Sequence, residues 1–354
     1  MKVRPRLIIA VLLLTLTVTS VIFAIYSINK KPTTKDSIKL VKLSCPDKSE
    51  RCLTTQLVAI QLKYDSKTAL KLISNYVVEN PDQVGTCHTV VHTLGINDYL
   101  KYKDLTRVYR EGSNTCSWAY LHGAIIAAYK TATLENATEI TKNLCIGLAS
   151  EDTTAEGECY HGVGHAVMLA TNDFAKAMSV CEVILDDRGL TSCVQGAIME
   201  YSAKFPMDPV GAASIATQTY KDCLTLTQEK TKTYCIYSVG ESNLRADGRQ
   251  GDVRPAWKRC QVLGEKYLQE CARGLGKAAP DQLAWDPEGS AKICNGLPVK
   301  YQDDCNAIAA MTIGTVLLDE KYTIAYCGFV LSPRKEACLE VLPTVKDYVS
   351  RNKS

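Results

Sequence analysis

Twelve of the sixteen cysteines in this 354-residue chain fall into close pairs: Cys145 with Cys159, Cys181 with Cys193, Cys223 with Cys235, Cys260 with Cys271, Cys294 with Cys305 and Cys327 with Cys338. The offset within a pair shrinks from 14 to 11 residues, and the first members recur at steps of 36, 42, 37, 34 and 33. A period in the mid-thirties without strand-like alternation marks stacked helix–turn–helix units. Each unit reads alike. One helix ends near the first cysteine, a short polar turn follows (Leu185 to Ser192 in one unit, Leu263 to Glu270 in another), and a second helix begins at the second cysteine. Such a turn brings the two positions within reach of a disulfide. Closing so short a loop contributes about 2–3 kcal/mol in the chain-entropy model. The fold class is therefore all-α: an N-terminal transmembrane anchor followed by about eight helical hairpins stacked as a disulfide-stapled α/α solenoid.

The other four cysteines are less regular. Cys45 and Cys52 lie seven apart and close a small loop. Cys87 and Cys116 each sit where a second cysteine belongs, with no partner 11 to 14 residues upstream. Either they bond to each other and staple neighbouring repeats, or they stay free thiolates and enter a mixed Cys/His metal centre. An even, high cysteine count without tight C-x-x-C groups suits an oxidising compartment. The N-terminus agrees. Lys2, Arg4 and Arg6 precede an uncharged run from Leu7 to Asn29, followed by Lys30 and Lys31. A run of that length spans a bilayer as a helix. No Ala-x-Ala follows it, so an uncleaved signal anchor is expected over a cleaved signal. The leading basic residues put the N-terminus in the cytoplasm and the body on the extracytoplasmic side.

The chain divides into residues 1–31, the anchor; 32–64, a stalk with the Cys45–Cys52 loop; 65–205, the histidine-rich repeats; and 206–354, the C-terminal repeats. Asp65 to Asn80 reads as an amphipathic helix, capped by Asp65 or Ser66, with Leu70, Ile73 and Val77 as its apolar stripe. Glycines recur after the second cysteine, with Gly162, Gly196 and Gly274 at the third position and Gly164, Gly240 and Gly276 at the fifth. Glycine inside a helix costs about 0.5–1 kcal/mol against alanine, so its recurrence points to close helix–helix approach.

All five histidines, His88, His92, His122, His161 and His165, lie between Cys87 and His165, each within six residues after a cysteine. His88/His92 and His161/His165 are His-x-x-x-His pairs, which place both imidazoles on one helical face. Equivalent positions of adjacent repeats lie side by side along a solenoid. His122 and His165 both fall six residues after the second cysteine, and the next repeat brings Met199 and Glu200 to the same edge. Three consecutive helices thus aim imidazoles at one region, walled by Trp118, Tyr120 and Tyr160 and edged by Glu200. Imidazole suits zinc, copper, iron and nickel. The expected cofactor is a transition metal (Cu, Fe or Zn) or haem. Met168 and Met199 offer a soft ligand for copper, though a helical methionine is more often core. Asp98 and Glu200 can act as supporting partners or a general base, but each also reads as an ordinary surface or turn charge. Covalent c-type haem is excluded by the lack of C-x-x-C-H, and the usual zinc-protease helix by the lack of H-E-x-x-H. A net charge of +3 without a basic cluster argues against nucleic acid. Asn136-Ala-Thr138 is a glycosylation sequon.

In its period, helical pattern and paired cysteines, the stretch from Pro81 to Val349 resembles the tetratricopeptide superfamily, in particular its cysteine-rich secreted α/α repeats. The Trp, Tyr and Pro signature of true tetratricopeptides is absent. The resemblance implies a concave binding surface and carries over no catalytic residue. Two functions follow. The first is a membrane-anchored metal or haem protein for redox chemistry or metal handling. The second is a non-enzymatic scaffold whose groove binds a protein or cell-envelope partner, with structural histidines. A metal-free hydrolase or transferase using a histidine base lacks an identifiable nucleophile.

Overall fold

Several of the described helices begin at a side chain that caps the free N–H groups of the first turn. Ser49 accepts from the Cys52 N–H, Asp65 from Thr68, Asp104 from Arg107, Asp173 from Lys176, Asp286 from Glu288 and Gly289, and Asp319 from Lys321. Each such cap is worth about 1 kcal/mol. The computed structural model describes residues 42–80, 83–112, 115–116, 118–130, 134–145, 148, 153–203, 209–246 and 251–352. Among them every regular element is helical. In chain order these are α1 (Glu50–Lys63), α2 (Ser66–Glu79), α3 (Val84–Tyr102), α4 (Leu105–Glu111), α5 (Ala119–Tyr129), α6 (Leu134–Leu144) and α7 (Thr153–Thr171). There follow α8 (Phe174–Cys181), α9 (Asp187–Ala203), α10 (Pro209–Thr225), α11 (Glu229–Ser238), α12 (Gly240–Arg245) and α13 (Arg254–Cys260). The last six are α14 (Leu268–Gln282), α15 (Pro287–Asn295), α16 (Gln302–Val316), α17 (Glu320–Gly328), α18 (Lys335–Leu339) and α19 (Leu342–Asn352).

These helices form two rows. The first runs α1, α3, α5, α7, α9, α11–α12, α14, α16, each packed on the next. The second, α2, α4, α6, α8, α10, α13, α15, α17, lies on its flank, each helix against its hairpin partner. The short α18 and α19 pack on α16 and α17 at the C-terminal end. Between the rows lies one continuous apolar core that includes Leu57, Ile73, Leu94, Ile125, Val163, Ile198, Leu275 and Ile313. This is the stacked α/α hairpin architecture expected from the cysteine period.

All sixteen cysteines are paired, in eight disulfides. The six regular pairs form as the spacing predicts, Cys45 bonds Cys52, and Cys87 bonds Cys116, which joins the start of α3 to the start of α5. No thiolate is left for a mixed Cys/His centre. The second cysteine of a unit is not the first residue of its helix: Cys193 sits inside α9 and Cys235 inside α11. The staple ties the C-terminal end of one helix to a point about a turn or more inside the next.

Residues 50–63, expected as part of a stalk, form α1, with Leu53, Leu57 and Ile60 buried along one face at helical spacing. The amphipathic helix after Asp65 is α2, with Leu70 and Ile73 buried and Val77 partly so. The apolar run from Leu7 to Asn29 lies outside the described residues. Among those described, no helix is long and apolar enough to cross a membrane.

First-row neighbours meet backbone to backbone at glycines. A Cβ on Gly240 would run into the backbone of Gly274, and one on Gly274 into the Tyr237 carbonyl. We expect Gly240→Val to lower stability by about 1–3 kcal/mol, as overpacking of a close crossing does, or on the order of 5 °C in Tm. Gly328→Ala has open space around its Cβ and is expected to leave Tm within about 1 °C. Scanning calorimetry of the two variants checks both; equal Tm values would contradict the crossing.

Candidate metal centre

The same close crossings bring the histidines together. A Cβ on Gly123 of α5 would collide with the His92 carbonyl of α3, and one on Gly196 of α9 with the His161 carbonyl of α7. Gly162 lets α7 settle against α5, its missing Cβ facing Ile125 and the backbone of His122. With three helix axes this close, side chains at the crossing must share one space. His88 and His92 come from α3, His122 from α5, and His161 and His165 from α7.

The rings form one cluster. Centroids are 4.7 Å apart for His88 and His92, 5.6 Å for His88 and His122, and 6.1 Å for His92 and His122. On the other side, His122 lies 5.0 Å from His161 and 5.7 Å from His165, with 5.0 Å between His161 and His165. His165 also reaches back to within 6.1 Å of His92. Two triads place one nitrogen from each member within 4.8 Å of the others: His88, His92 and His122, and His122, His161 and His165. His122 and His165 are buried; the other three are partly exposed.

The hydrogen bonds fix which nitrogens point inward. The Nδ1–H of His88 donates to the Cys116 carbonyl at 2.8 Å, and a carbonyl can only accept, so the Nε2 of the neutral ring carries a lone pair. The Nδ1–H of His165 donates to the Glu200 carboxylate at 3.2 Å, and its Nε2 lies 3.2 Å from the Nε2 of His161. Among the described residues the Nε2 atoms of His88 and His92 and both ring nitrogens of His122 are buried without a hydrogen-bond partner. Buried polar atoms are ordinarily satisfied. These four nitrogens, gathered in one place, form a donor set able to hold a cation.

Electrostatics agree. Burial pushes His88 below the ordinary imidazole range, partly offset by its bond to Cys116. Burial, with the neighbouring imidazoles, pushes His92, His122 and His161 well below it. The rings are therefore neutral, the form that binds metal. Glu158 of α7 sets its carboxylate 3.4 Å from the His122 Nε2. Burial raises its carboxyl to about 7, opposed by Lys277, His88 and Arg188. Lys277 of α14, lowered to about 8 by burial, is close enough to act on both Glu158 and His161. A C-terminal repeat thus brings a cation within electrostatic range of the centre.

The other expected site residues separate. Glu200 joins the cluster through His165. Tyr120 does not wall it: its hydroxyl donates to Asp98, which also accepts from Ser66, in a buried network with Gln61 and Asn97 that ties α1, α2, α3 and α5. Asp98 is accordingly buried, neither a surface nor a turn charge. Trp118 stacks on Tyr109 of α4, rings 7° from parallel. Tyr160 packs beside Gly189 at the start of α9, and Met168 is core. The spacing Glu158-x-x-His161-x-x-x-His165 puts all three on one helical face and was the signal that could have found Glu158. Nothing local marks Lys277, which comes within range only in the folded stack.

No protein-family model, characterised protein or solved structure matches this chain. The structure supports a helical-repeat architecture, and no comparison ties it to the tetratricopeptide superfamily.

The four depressed imidazoles set a pH dependence for the metal-free protein. Unfolded, they titrate near 6.5; folded, they take protons only at lower pH. The stability they contribute is present above about 6.5 and lost as pH falls below it. Glu158 has the opposite sign: raised from 4.5 to about 7, its contribution is full below 4.5 and lost as pH rises through 7. Four groups against one give a Tm that falls between about pH 7.5 and about pH 5. A Tm that rises over that interval would contradict this assignment of charge.

Proposed function

We propose that this chain is a transition-metal protein of an oxidising compartment, its histidine cluster holding the metal for redox chemistry or metal handling. The single observation that carries the reading is the convergence of five imidazoles from three helices, four of their nitrogens buried without partners. The 3.2 Å between the Nε2 atoms of His161 and His165 is close to the edge of about 3.3 Å that tetrahedral ligands make at metal–nitrogen distances near 2.05 Å. Of the two expected cofactors, this spacing favours an ion. Rings packed 4.7 to 6.4 Å apart in a single cluster stand against one another.

The donor set narrows the metal. Every cysteine is in a disulfide, so thiolate is not a ligand, and Met168 is committed to the core. Nitrogen-only coordination suits copper and zinc above the rest, copper having the greater affinity in the divalent series. Eight disulfides fit an extracytoplasmic body. The basic residues and apolar run at the N-terminus would tether that body to a membrane with its metal centre outside.

The test is elemental analysis of the full-length chain purified from an oxidising compartment. A bound transition metal in simple ratio to protein is expected, and His165→Ala should lower the metal content. Glu200→Gln keeps every metal-binding nitrogen but weakens the acceptor that orients His165; it should lower affinity about 10–100-fold. Metal content at background in the unaltered protein, before and after reconstitution, would leave the scaffold reading in its place.

A further inference from the structure

His122 is the only histidine that belongs to both triads. It is buried, it lies between the His88/His92 pair and the His161/His165 pair, and neither of its ring nitrogens has a hydrogen-bond partner among the described residues. A histidine bound through one nitrogen ordinarily gives its other N–H to a carbonyl or carboxylate, which fixes the ring. His88 and His165 do so, through Cys116 and Glu200. His122 does not. Its nearest carboxylate, that of Glu158, stands 3.4 Å from Nε2 without hydrogen-bonding geometry. The Glu158 backbone comes close enough to favour the charged ring, yet no acceptor among the described residues reaches full hydrogen-bonding geometry at either nitrogen, and imidazoles stand on both sides.

We propose, on the strength of the metal reading above, that the centre holds two ions bridged by the imidazole of His122: one bound by His88, His92 and one nitrogen of His122, the other by His161, His165 and its second nitrogen. Bridging requires His122 to lose its N–H proton to solvent as the second metal–nitrogen bond forms, so each ring nitrogen then gives a lone pair to one ion. The ring needs no orienting hydrogen bond because both nitrogens are bound. With atoms up to 4.8 Å apart and a tetrahedral edge near 3.3 Å, each triad must draw in by up to about 1.5 Å, within the reach of side-chain rotation. Each ion then has three protein nitrogens and an open position, the donor count of reactive sites and not of closed structural ones. The substrate class that follows is a small molecule or ion able to take a metal's free coordination position.

The experiment loads metal-free, full-length protein with Cu(II), removes excess by desalting, and measures copper per chain together with the integrated EPR intensity. Two coppers per chain are expected, with an EPR intensity less than half that of the copper content, because a bridging imidazolate couples the two spins. His92→Ala and His161→Ala should each retain one copper with full EPR intensity. One copper in the unaltered protein would overturn the two-ion centre and leave the single-metal reading standing; none would overturn both. Two coppers with full, uncoupled intensity, or two retained in His161→Ala, would remove the bridge. Should either variant fail to fold, as circular dichroism would show, the copper count and EPR intensity of the unaltered protein still decide.

Discussion

The structure depends on how closely neighbouring helices of the first row approach. Where Gly123 meets the His92 carbonyl and Gly196 meets the His161 carbonyl, no side chain separates the two backbones. Interaxial distances are set by the residues at the contact, so glycine there brings everything beside it inward. The imidazoles flank those glycines and have nowhere to point except at one another. Larger residues at the same positions would keep the hairpins stacked but spread the rings apart, and the cluster would be five separate histidines.

Burying so many imidazoles has a cost that the rest of the site offsets. A buried neutral ring still presents a donor and an acceptor, and each wants a partner. The Cys116 carbonyl and the Glu200 carboxylate answer two of these needs. The Cys87–Cys116 bond, the one staple that joins two first-row helices, also fixes the carbonyl that orients His88. Glu158 and Lys277 add one charge of each sign at the edge of the cluster.

Much of this was legible in the residues alone, because cysteine and histidine are rare and their spacing is informative. Six disulfides followed from a narrow offset of 11 to 14 residues, and the shared position of His122 and His165 within their repeats placed them side by side. What failed did so for identifiable reasons. Residues 50–63 read as stalk because the polar stretch before them carried the eye past Leu53, Leu57 and Ile60. Tyr120 is two residues from His122, about 200° around the helix, so nearness in sequence did not mean a shared face; Trp118, four before it, lies outside α5 as its cap in a left-handed conformation. Lys277 lies more than a hundred residues from Glu158, and only the folded stack brings them within range.

The disulfides pair strictly in order along the chain, first with second, third with fourth, through to the fifteenth with the sixteenth. A polypeptide whose body emerges in chain order into an oxidising space exposes each cysteine just before its own mate. If every thiol is captured by the next to arrive, the native set forms without reshuffling. Sixteen cysteines with an enormous number of possible matchings thus become eight independent closures, each complete before the following hairpin has emerged. The linear repeat is also an assembly schedule, one in which the three helices of the histidine cluster are sealed in place before the C-terminal half of the stack exists.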